Sequence, residues 1–302
     1  MDVFDIKRII KKILKMVIPY GLFYFYKKKK EKKESKKDRL FQVEIHITEH
    51  CNLKCRSCFH FSCIAEKEFL STELFERDIR RMSQLSSRLS VIKLVGGEPL
   101  LHTNICDFIK ITKNYYPNTL IQITTNGILL DKQNDEFWNT CRENNVLISV
   151  STYPIKLEIE KIEKIARDKK VYLVYDQDRE KIYNQEHIER KYMLKWHIDV
   201  NGKQNFCKSY SNCDFKMGGC VTLRDGKIYN CCIPAHIKYF NKKFVKKLEI
   251  TQDDYIDIYS IDSIQKIIEF LGKPFPFCRY CMPMKVRPVE WGITKNDISE
   301  WT

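Results

Sequence analysis

Three cysteines lie close together in the sequence, at a spacing that could bind a metal centre. Cys51, Cys55 and Cys58 form a C-x3-C-x2-C pattern and follow residues 43–47, where apolar and polar residues alternate. Such alternation is typical of a strand, so the thiols are expected on the loop that leaves it. Cubane iron–sulfur clusters normally take four cysteine thiolates, so three would leave one iron open. An open position distinguishes a catalytic metal site from a structural one.

A zinc ion is the alternative occupant of the same loop. Structural zinc takes four ligands, and Cys63 or His60 could supply the fourth. The motifs that follow along the chain favour the iron–sulfur cluster over this alternative.

The composition predicts a protein with a full hydrophobic core in a reducing compartment. The chain has 302 residues, 43% of them hydrophobic, a size at which single α/β barrels are common. Its 13 cysteines come without a secretory signal, which argues against a disulfide scaffold and for metal binding or catalysis. We therefore expect a cytoplasmic protein. Cys63, Cys106 and Cys141 are isolated in the sequence and are expected to be core thiols.

Residues 1–40 form a basic arm with a charged linker. Residues 1–38 contain 13 Lys or Arg and 5 Asp or Glu, hence +8 of the net charge of +14. Apolar residues from Ile6 to Val17 recur at helical spacing between lysines, which predicts a basic amphipathic helix. The apolar run Met16–Tyr26 has 11 residues, whereas a spanning helix needs about 20.

This arm is expected to touch a membrane surface. A basic amphipathic helix followed by aromatic residues predicts peripheral contact of residues 6–30 with anionic lipid on the inner face of the membrane. A surface helix packed on the protein's own barrel is the main alternative. Nucleic acid is a weaker one, because basic arms can also bind phosphate backbones.

From residue 41 to residue 200, strand and helix patterns alternate. Alternating βα units predict a parallel sheet, and six such units predict a partial (β/α)6 TIM-like barrel. Active sites of such barrels lie at the carboxyl ends of the strands. The predicted strands are 43–47, 91–95, 120–125, 146–151, 171–175 and 192–200. The predicted helices are 72–87, 104–115, 134–144, 156–168 and 180–189.

Polar residues and glycines follow three of these strands. Gly96 and Gly97 would let backbone approach a ligand closely, and Glu98 could accept a hydrogen bond from an ammonium group. Thr125 and Asn126 end the third strand, where an ordinary Asn-Gly turn is the alternative.

The fourth strand carries two serines on one face. Ser149 and Ser151 share that face because side chains alternate along a strand, and buried hydroxyls need polar partners. Bonding to neighbouring backbone is the alternative to bonding a ligand. After strand five, Tyr175–Arg179, and near strand six, Trp196 and His197, are positioned to line a substrate pocket.

The cysteine loop, the GGEP sequence at 96–99 and the TNG sequence at 125–127 resemble the radical S-adenosylmethionine (radical SAM) superfamily. The resemblance implies a 4Fe-4S cluster on Cys51, Cys55 and Cys58, with SAM chelating the fourth iron. It also implies that the reduced cluster splits SAM to generate a 5′-deoxyadenosyl radical, which takes a hydrogen atom from the substrate. The implied SAM-binding residues are Gly96, Gly97, Glu98, Thr125, Asn126, Ser149 and Ser151.

One position departs from the common family pattern. Many members carry an aromatic residue just before the third cysteine, beside the adenine of SAM. Ser57 occupies that position here and the aromatic residue follows as Phe59, so the resemblance assigns neither of them an adenine contact.

Residues 201–302 form a cysteine-rich region. The stretch 220–231 is predicted to be a β-hairpin with Asp225-Gly226 as its turn. This register places Cys220 opposite Cys231, about 4.5–5.5 Å apart at Cβ. Cys278 and Cys281 add a C-x2-C pair, another spacing typical of metal ligands, and a zinc ribbon remains an alternative.

The same region resembles the SPASM/twitch extension of radical SAM enzymes. The family spacing implies a second, auxiliary 4Fe-4S cluster on Cys213, Cys231, Cys278 and Cys281. Hairpin geometry favours Cys220 in place of Cys213, and both possibilities stay open. Cys232 should face the opposite way from Cys231.

We therefore expect a radical SAM enzyme that acts on a small hydroxylated molecule such as a sugar or nucleotide sugar, by oxidation, dehydration or epimerisation. An electron donor such as flavodoxin or ferredoxin would be its redox partner. A SPASM-type peptide-modifying maturase and a non-enzymatic metal-binding scaffold at the membrane are the alternatives. A scaffold would have no need of the GGEP motif or the serine pair.

Overall fold

The computed structural model describes residues 40–86, 88–175, 192–216 and 220–302. The basic arm, the predicted helix 180–189 and Asp176–Arg179 of the expected pocket lie outside these ranges. None of the helices in the described ranges has the length and apolar character that a membrane crossing requires.

Five parallel strands form the centre of the molecule, and they follow the predicted order along the chain. Each is hydrogen-bonded to the next, from β1 to β5, in parallel register. Their bounds are β1 Leu40–Thr48, β2 Leu89–Gly96, β3 Leu120–Thr125, β4 Leu147–Val150 and β5 Tyr172–Tyr175. The prediction of an α/β fold with a mostly parallel sheet is confirmed.

Four helices connect these strands and cover the sheet. In α1, Phe75, Ile79 and Met82 recur at helical spacing and are buried against the strands, as an amphipathic pattern predicts. Ser71 begins this helix, because its side chain accepts a hydrogen bond from the backbone N–H of Leu74. The helices are α1 Thr72–Leu85, α2 Ile105–Tyr115, α3 Asp135–Glu143 and α4 Ile159–Asp168.

The C-terminal region extends the same sheet on its other edge. Strand β7 (Thr222–Arg224) pairs in parallel with β1, and β8 (Lys227–Tyr229) and β9 (Tyr255–Asp257) follow antiparallel. The predicted hairpin is confirmed, with Leu223 opposite Ile228. Asp225 and Gly226 have φ values of 50° and 72°, the left-handed conformation that a tight hairpin turn requires.

The prediction of a sixth barrel strand at 192–200 is wrong. Strand β6 (Tyr192–Lys195) pairs antiparallel with β10 (Arg287–Glu290) in a separate two-stranded sheet. Its partner lies far along the chain, so local sequence pattern indicated a strand but not its neighbour. Within the described ranges the sheet therefore contains five of the six predicted barrel strands, and β7 is its sixth parallel strand.

Three helices complete the C-terminal region, and aromatic side chains form its core. The helices are α5 Phe206–Ser211, α6 Cys232–Phe244 and α7 Ile264–Leu271. Phe61, from just after the cysteine loop, packs in this core with Phe240 and Trp301. The cysteine loop is thus continuous with the core of the C-terminal region.

Asp78 of α1 joins the hairpin turn to the barrel through hydrogen bonds. Its buried carboxylate accepts hydrogen bonds from the N–H of Gly226 at 2.8 Å and from the Tyr259 hydroxyl at 2.7 Å. Both donors come from the C-terminal region, so this carboxylate joins the two parts of the sheet.

Replacing this carboxylate should weaken the fold. Asp78→Ala leaves the Gly226 N–H without its acceptor, so the free energy of unfolding should fall by about 1–3 kcal/mol. Denaturant unfolding in oxygen-free buffer measures the change. Arg80→Ala, on the exposed face of the same helix, is the control and should change stability little. Equal stability of the two variants would contradict this role.

Candidate functional site

Cys51, Cys55 and Cys58 come together on the loop that leaves β1, at the carboxyl edge of the sheet. Burial raises the pKa of the Cys51 thiol, and Glu98 and the other two thiols add smaller contributions of the same sign. The three sulfurs are therefore close enough to interact. Three converging thiols fit the donor set of an iron–sulfur cluster.

The spacing of the sulfurs disfavours a closed zinc site. Within the described ranges, three candidate ligand atoms approach within 4.8 Å of one another only at His46, Glu49 and His236. No three cysteine sulfurs in those ranges are that close. Sulfurs around one zinc ion would lie about 3.8 Å apart, since Zn–S bonds are about 2.3 Å. No group of three sulfurs in the described part of the chain is therefore arranged as zinc would require.

Cys63 is a core thiol, as the sequence predicted, but it also contacts a cysteine of the loop. It makes a hydrogen bond with the Cys58 thiol, and this bond is the main cause that lowers the pKa of Cys58 to about 6. The contact with Cys63 therefore favours the thiolate form of Cys58.

N–H groups donate to the Cys51 and Cys55 sulfurs of this loop. The backbone N–H of Leu53 donates to Cys51 Sγ at 3.3 Å, and the Trp291 indole N–H donates to Cys55 Sγ at 3.3 Å. Hydrogen bonds to sulfur help to set the reduction potential of an iron–sulfur cluster. Trp291 escaped the sequence analysis because it lies 236 residues from Cys55 and outside any recognised motif.

Apolar side chains surround the three thiols. Cys55 is buried with Leu53 and Met193, and Met193 comes from β6. The displaced sixth strand thus covers the cysteine loop instead of closing the barrel. The other side chains of this shell are Ile128, Tyr153, Ile155, Val289 and Trp291. A dry shell of this kind limits access of water to a reactive centre.

The two predicted glycines let the turn after β2 pack directly on the cysteine loop. The N–H of Gly97 donates to the Thr48 carbonyl at 2.9 Å, and the N–H of Glu98 donates to the His50 carbonyl at 2.8 Å. A Cβ at Gly97 would lie 2.1 Å from the His50 oxygen, and one at Gly96 would lie 2.0 Å from the Thr48 oxygen. The glycines therefore position the protein's own metal-binding loop.

Glu98 brings two of the predicted motifs together. Its fully buried carboxylate accepts hydrogen bonds from the Thr125 hydroxyl at 2.6 Å, the Asn126 N–H at 2.8 Å and the Leu100 N–H at 3.1 Å. Burial raises the pKa of Glu98 to about 7, although the three donors oppose the shift. The predicted contact of Glu98 with an ammonium group stays a prediction, because these bonds all lie within the protein.

Asn126 links the third strand to the cysteine loop. Its side-chain amide donates to the Asn52 side-chain oxygen at 2.7 Å, and the same nitrogen lies 3.9 Å from Cys51 Sγ. The motif at 125–127 therefore borders the metal-binding loop, as the sequence predicted.

Ser149 and Ser151 lie buried at the same edge of the sheet. Ser149 is paired with Thr124 across the β3–β4 ladder, and the N–H of Ser151 donates to the Thr125 carbonyl at 2.8 Å. Both serines therefore adjoin the Glu98–Thr125 contact. Their roles toward a ligand stay predictions.

Ser57 and Phe59 both turn toward the C-terminal region. The buried Ser57 hydroxyl donates to the Glu300 carbonyl at 2.8 Å, while Phe59 packs edge-on against His60 and near Phe215. Trp196, expected in a substrate pocket, is also buried here and stacks on Phe215 at 4.7 Å. The Trp196 ring packs in the core of the C-terminal region, and its place in a substrate pocket stays a prediction.

The predicted auxiliary cysteines also come together. Burial raises the pKa of Cys231 well above its usual range, with further contributions from Cys281, Cys220, Cys278 and Cys213. All five thiols therefore interact around one place. They are drawn together from the loop after α5, from the hairpin and from the segment that precedes β10.

Cys213 and Cys220 differ in the groups that they contact, which distinguishes them as candidate ligands. The Cys220 thiol donates to Glu44 Oε2 at 3.2 Å and also contacts the thiol of the fully buried Cys232. Cys213 instead accepts a hydrogen bond from the Phe215 N–H at 3.4 Å and interacts with Cys281. Cys220 is directed toward the barrel, which favours Cys213.

A buried charge network lies beside the cysteine loop, and the sequence analysis missed it. Glu49 Oε2 lies 3.1 Å from His46 Nδ1 and 3.2 Å from His236 Nδ1, and Arg224 donates to Glu49 Oε1 at 2.8 Å. Although burial opposes the shift, His236 and His46 hold the pKa of Glu49 well below its usual range.

These three ligand atoms are close enough for a metal ion. The Arg224 guanidinium, however, already contacts both Glu49 and His236. A second cation beside it would be repelled. The network is better explained as a charge-balanced junction between β1, β7 and α6.

Comparison with known proteins identifies the first part of this site. Residues 45–189 match the model of the Radical SAM superfamily. The predicted radical SAM domain is thereby confirmed, whereas the SPASM/twitch assignment of residues 201–302 and the auxiliary cluster stay predictions.

Curated relatives share only a segment with this chain. A GTP 3′,8-cyclase from Chlorobaculum tepidum is 37% identical over 98 residues, covering 31% of this chain and 28% of that protein. A GTP 3′,8-cyclase from Synechocystis is 32% identical over 111 residues, covering 36% of this chain and 32% of that protein. The matched segment spans about a third or less of these relatives.

Solved structures resemble the chain over more of its length. BtrN in complex with AdoMet and 2-DOIA matches with a TM-score of 0.46 and 19% identity, covering 81% of this chain and 94% of that one. Native anSMEcpe with bound AdoMet matches with a TM-score of 0.45 and 14% identity, covering 80% and 90%.

Adding one methyl group at Gly97 should displace the cysteine loop. A Cβ there meets the His50 carbonyl oxygen at 2.1 Å and the Cys51 nitrogen at 2.8 Å. We expect Gly97→Ala to bind far less iron after anaerobic reconstitution, as measured by iron per chain. Gly272→Ala is the matched control, because its nearest atom would lie at an ordinary 3.5 Å. Wild-type iron content in Gly97→Ala would contradict the proposed packing.

Proposed function

We propose that this chain, whose residues 45–189 form a radical SAM domain, is an enzyme that reductively cleaves SAM and abstracts a hydrogen atom from a small hydroxylated substrate. The observation that carries the proposal is the convergence of Cys51, Cys55 and Cys58 in one packed cluster beside the Glu98–Asn126 contact. We propose a sugar or nucleotide sugar as the substrate, as the sequence analysis expects.

The protein's part in this reaction is to hold and shield the cofactors. A 4Fe-4S cluster with SAM, when bound, would supply the electron and the radical. The three thiolates would hold the cluster, while the Leu53 and Trp291 N–H groups stabilise charge on sulfur. The apolar side chains around Cys55 exclude water, which would protect a radical from quenching.

The SAM site is proposed along the carboxyl ends of β2, β3 and β4. Gly96 and Gly97 keep backbone close to the cysteine loop, and Glu98 fixes Thr125 and Asn126 through hydrogen bonds. Ser149 and Ser151 continue this polar edge and are proposed to contact the SAM ribose or carboxylate. Because its carboxylate is buried, Glu98 would act by holding Thr125 and Asn126 in position.

An auxiliary 4Fe-4S cluster is proposed on Cys213, Cys231, Cys278 and Cys281. The electrostatic interaction of these thiols supports it, as does the engagement of Cys220 with Glu44. Such a cluster could accept the electron that remains after hydrogen abstraction and so permit a net oxidation. An electron donor such as flavodoxin or ferredoxin would reduce the first cluster.

A nucleotide is the second candidate substrate. The curated relatives are named GTP 3′,8-cyclase, at 37% and 32% identity over short segments. Incubation of the reduced enzyme with GTP, and separately with UDP-glucose, tests both proposals through substrate-dependent formation of 5′-deoxyadenosine. Stimulation by GTP alone would replace the sugar proposal.

Removing one ligand of the first cluster should abolish SAM cleavage. Cys55→Ala leaves two thiolates on the loop, too few to hold a cubane with one open iron. We expect loss of 5′-deoxyadenosine formation with dithionite, measured by chromatography. Cys106→Ala, a partly buried thiol on α2, is the control and should remain active. Persistent 5′-deoxyadenosine formation in Cys55→Ala would refute the site.

Iron content separates the two cluster proposals. Wild-type protein should bind about eight irons per chain, and Cys281→Ala about four. Cys220→Ala should retain about eight if Cys213 is the ligand. A wild-type value of about four would reject the auxiliary cluster and leave the first site intact. Loss of iron in Cys220→Ala, with retention in Cys213→Ala, would reverse the ligand assignment.

A further inference from the structure

The segment that follows β10 crosses directly over the cysteine loop. The N–H of Arg56 donates to the Gly292 carbonyl at 2.7 Å, and the N–H of Thr294 donates to the Lys54 carbonyl at 2.9 Å. Cys55 and Ile293 form an antiparallel bridge between these two bonds. The backbone on both sides of Cys55 is thus fixed to one distant segment of the chain.

This backbone bridge places the Trp291 ring against the Cys55 sulfur. The indole N–H donates to Cys55 Sγ at 3.3 Å. The ring belongs to the apolar shell around the thiols, and Tyr153 lies 6.1 Å away, centroid to centroid. An indole nitrogen can only donate a hydrogen bond, so the direction of this one is fixed.

A donor at this position acts on the charge of the sulfur. Adding an electron to an iron–sulfur cluster increases negative charge on its sulfurs, and a hydrogen-bond donor stabilises that charge. Burial has the opposite effect, because a low dielectric penalises added charge. Cys55 is only 6% exposed, so a hydrogen bond at its sulfur should have a measurable effect.

We propose that Trp291 is a positioning residue that raises the reduction potential of the cluster held by Cys51, Cys55 and Cys58, through its hydrogen bond to the Cys55 sulfur. This inference rests on the proposed function, because it requires the cluster to be bound there. It assigns a redox role to a segment outside the matched radical SAM domain.

The chain contains a matched control for this proposal. Trp301, which is buried whereas Trp291 is half-buried, is a second indole beside the same loop, and its N–H donates to the backbone carbonyl of Cys58 at 2.9 Å. Trp291→Phe and Trp301→Phe therefore remove the same donor group and keep an aromatic ring. Only the first removes a hydrogen bond to a cluster sulfur.

The experiment is a redox titration of the full-length, reconstituted protein, followed by electron paramagnetic resonance. The signal that changes on addition of SAM identifies the cluster of interest. We expect Trp291→Phe to lower the ratio of reduced to oxidised cluster at a fixed potential by about threefold to tenfold. Trp301→Phe should change this ratio by less than about twofold.

A second substitution distinguishes loss of the hydrogen bond from a change in the packing of the ring. Benzothienylalanine at position 291 keeps the two-ring shape of tryptophan and replaces the N–H by sulfur, so it should lower the ratio as Trp291→Phe does. A wild-type ratio in this variant, or equal shifts in the two phenylalanine variants, would overturn the proposal. Absence of a SAM-sensitive cluster in the wild-type protein would instead reject the proposed function.

Discussion

The close packing of two backbone turns is the constraint on which the site depends. The turn after β2 donates to the Thr48 and His50 carbonyls through the N–H groups of Gly97 and Glu98. No side chain fits between them, since a Cβ at Gly97 would overlap the His50 oxygen. The backbone of the turn after β2 therefore fixes the position of the cysteine loop. The three thiols converge on a loop that packs against backbone and not against a side chain.

Two buried carboxylates connect this turn and the cysteine loop to the rest of the molecule. Glu98 joins the second and third strands by accepting from Thr125 and Asn126, and Glu49 joins β1 to Arg224 and His236 of the C-terminal region. Buried charges are costly unless they are paired or hydrogen-bonded. Each carboxylate has such partners, so the two halves of the molecule are held in one arrangement around the cysteine loop.

Strand β1 contacts both cysteine groups. His46 interacts with Cys58 of the first group, and Glu44 on the same strand accepts from Cys220 of the second. Strand β1 therefore carries polar groups that reach both sets of thiols. The sheet is continuous from β1 to β7, so it fixes how the two groups are placed relative to each other.

The sequence by itself determined the local features: the cysteine spacing, the five parallel strands, the Asp225-Gly226 hairpin and the glycines after β2. These follow from residue type and short-range periodicity, which act within a few positions of the chain. Only the tertiary structure decided that β6 pairs with β10, that Glu49 meets Arg224 and His236, and that Trp291 reaches Cys55. These contacts join residues that are 92 to 236 positions apart in the sequence. No local pattern specifies them, because the choice of partner depends on which surfaces the whole fold brings together.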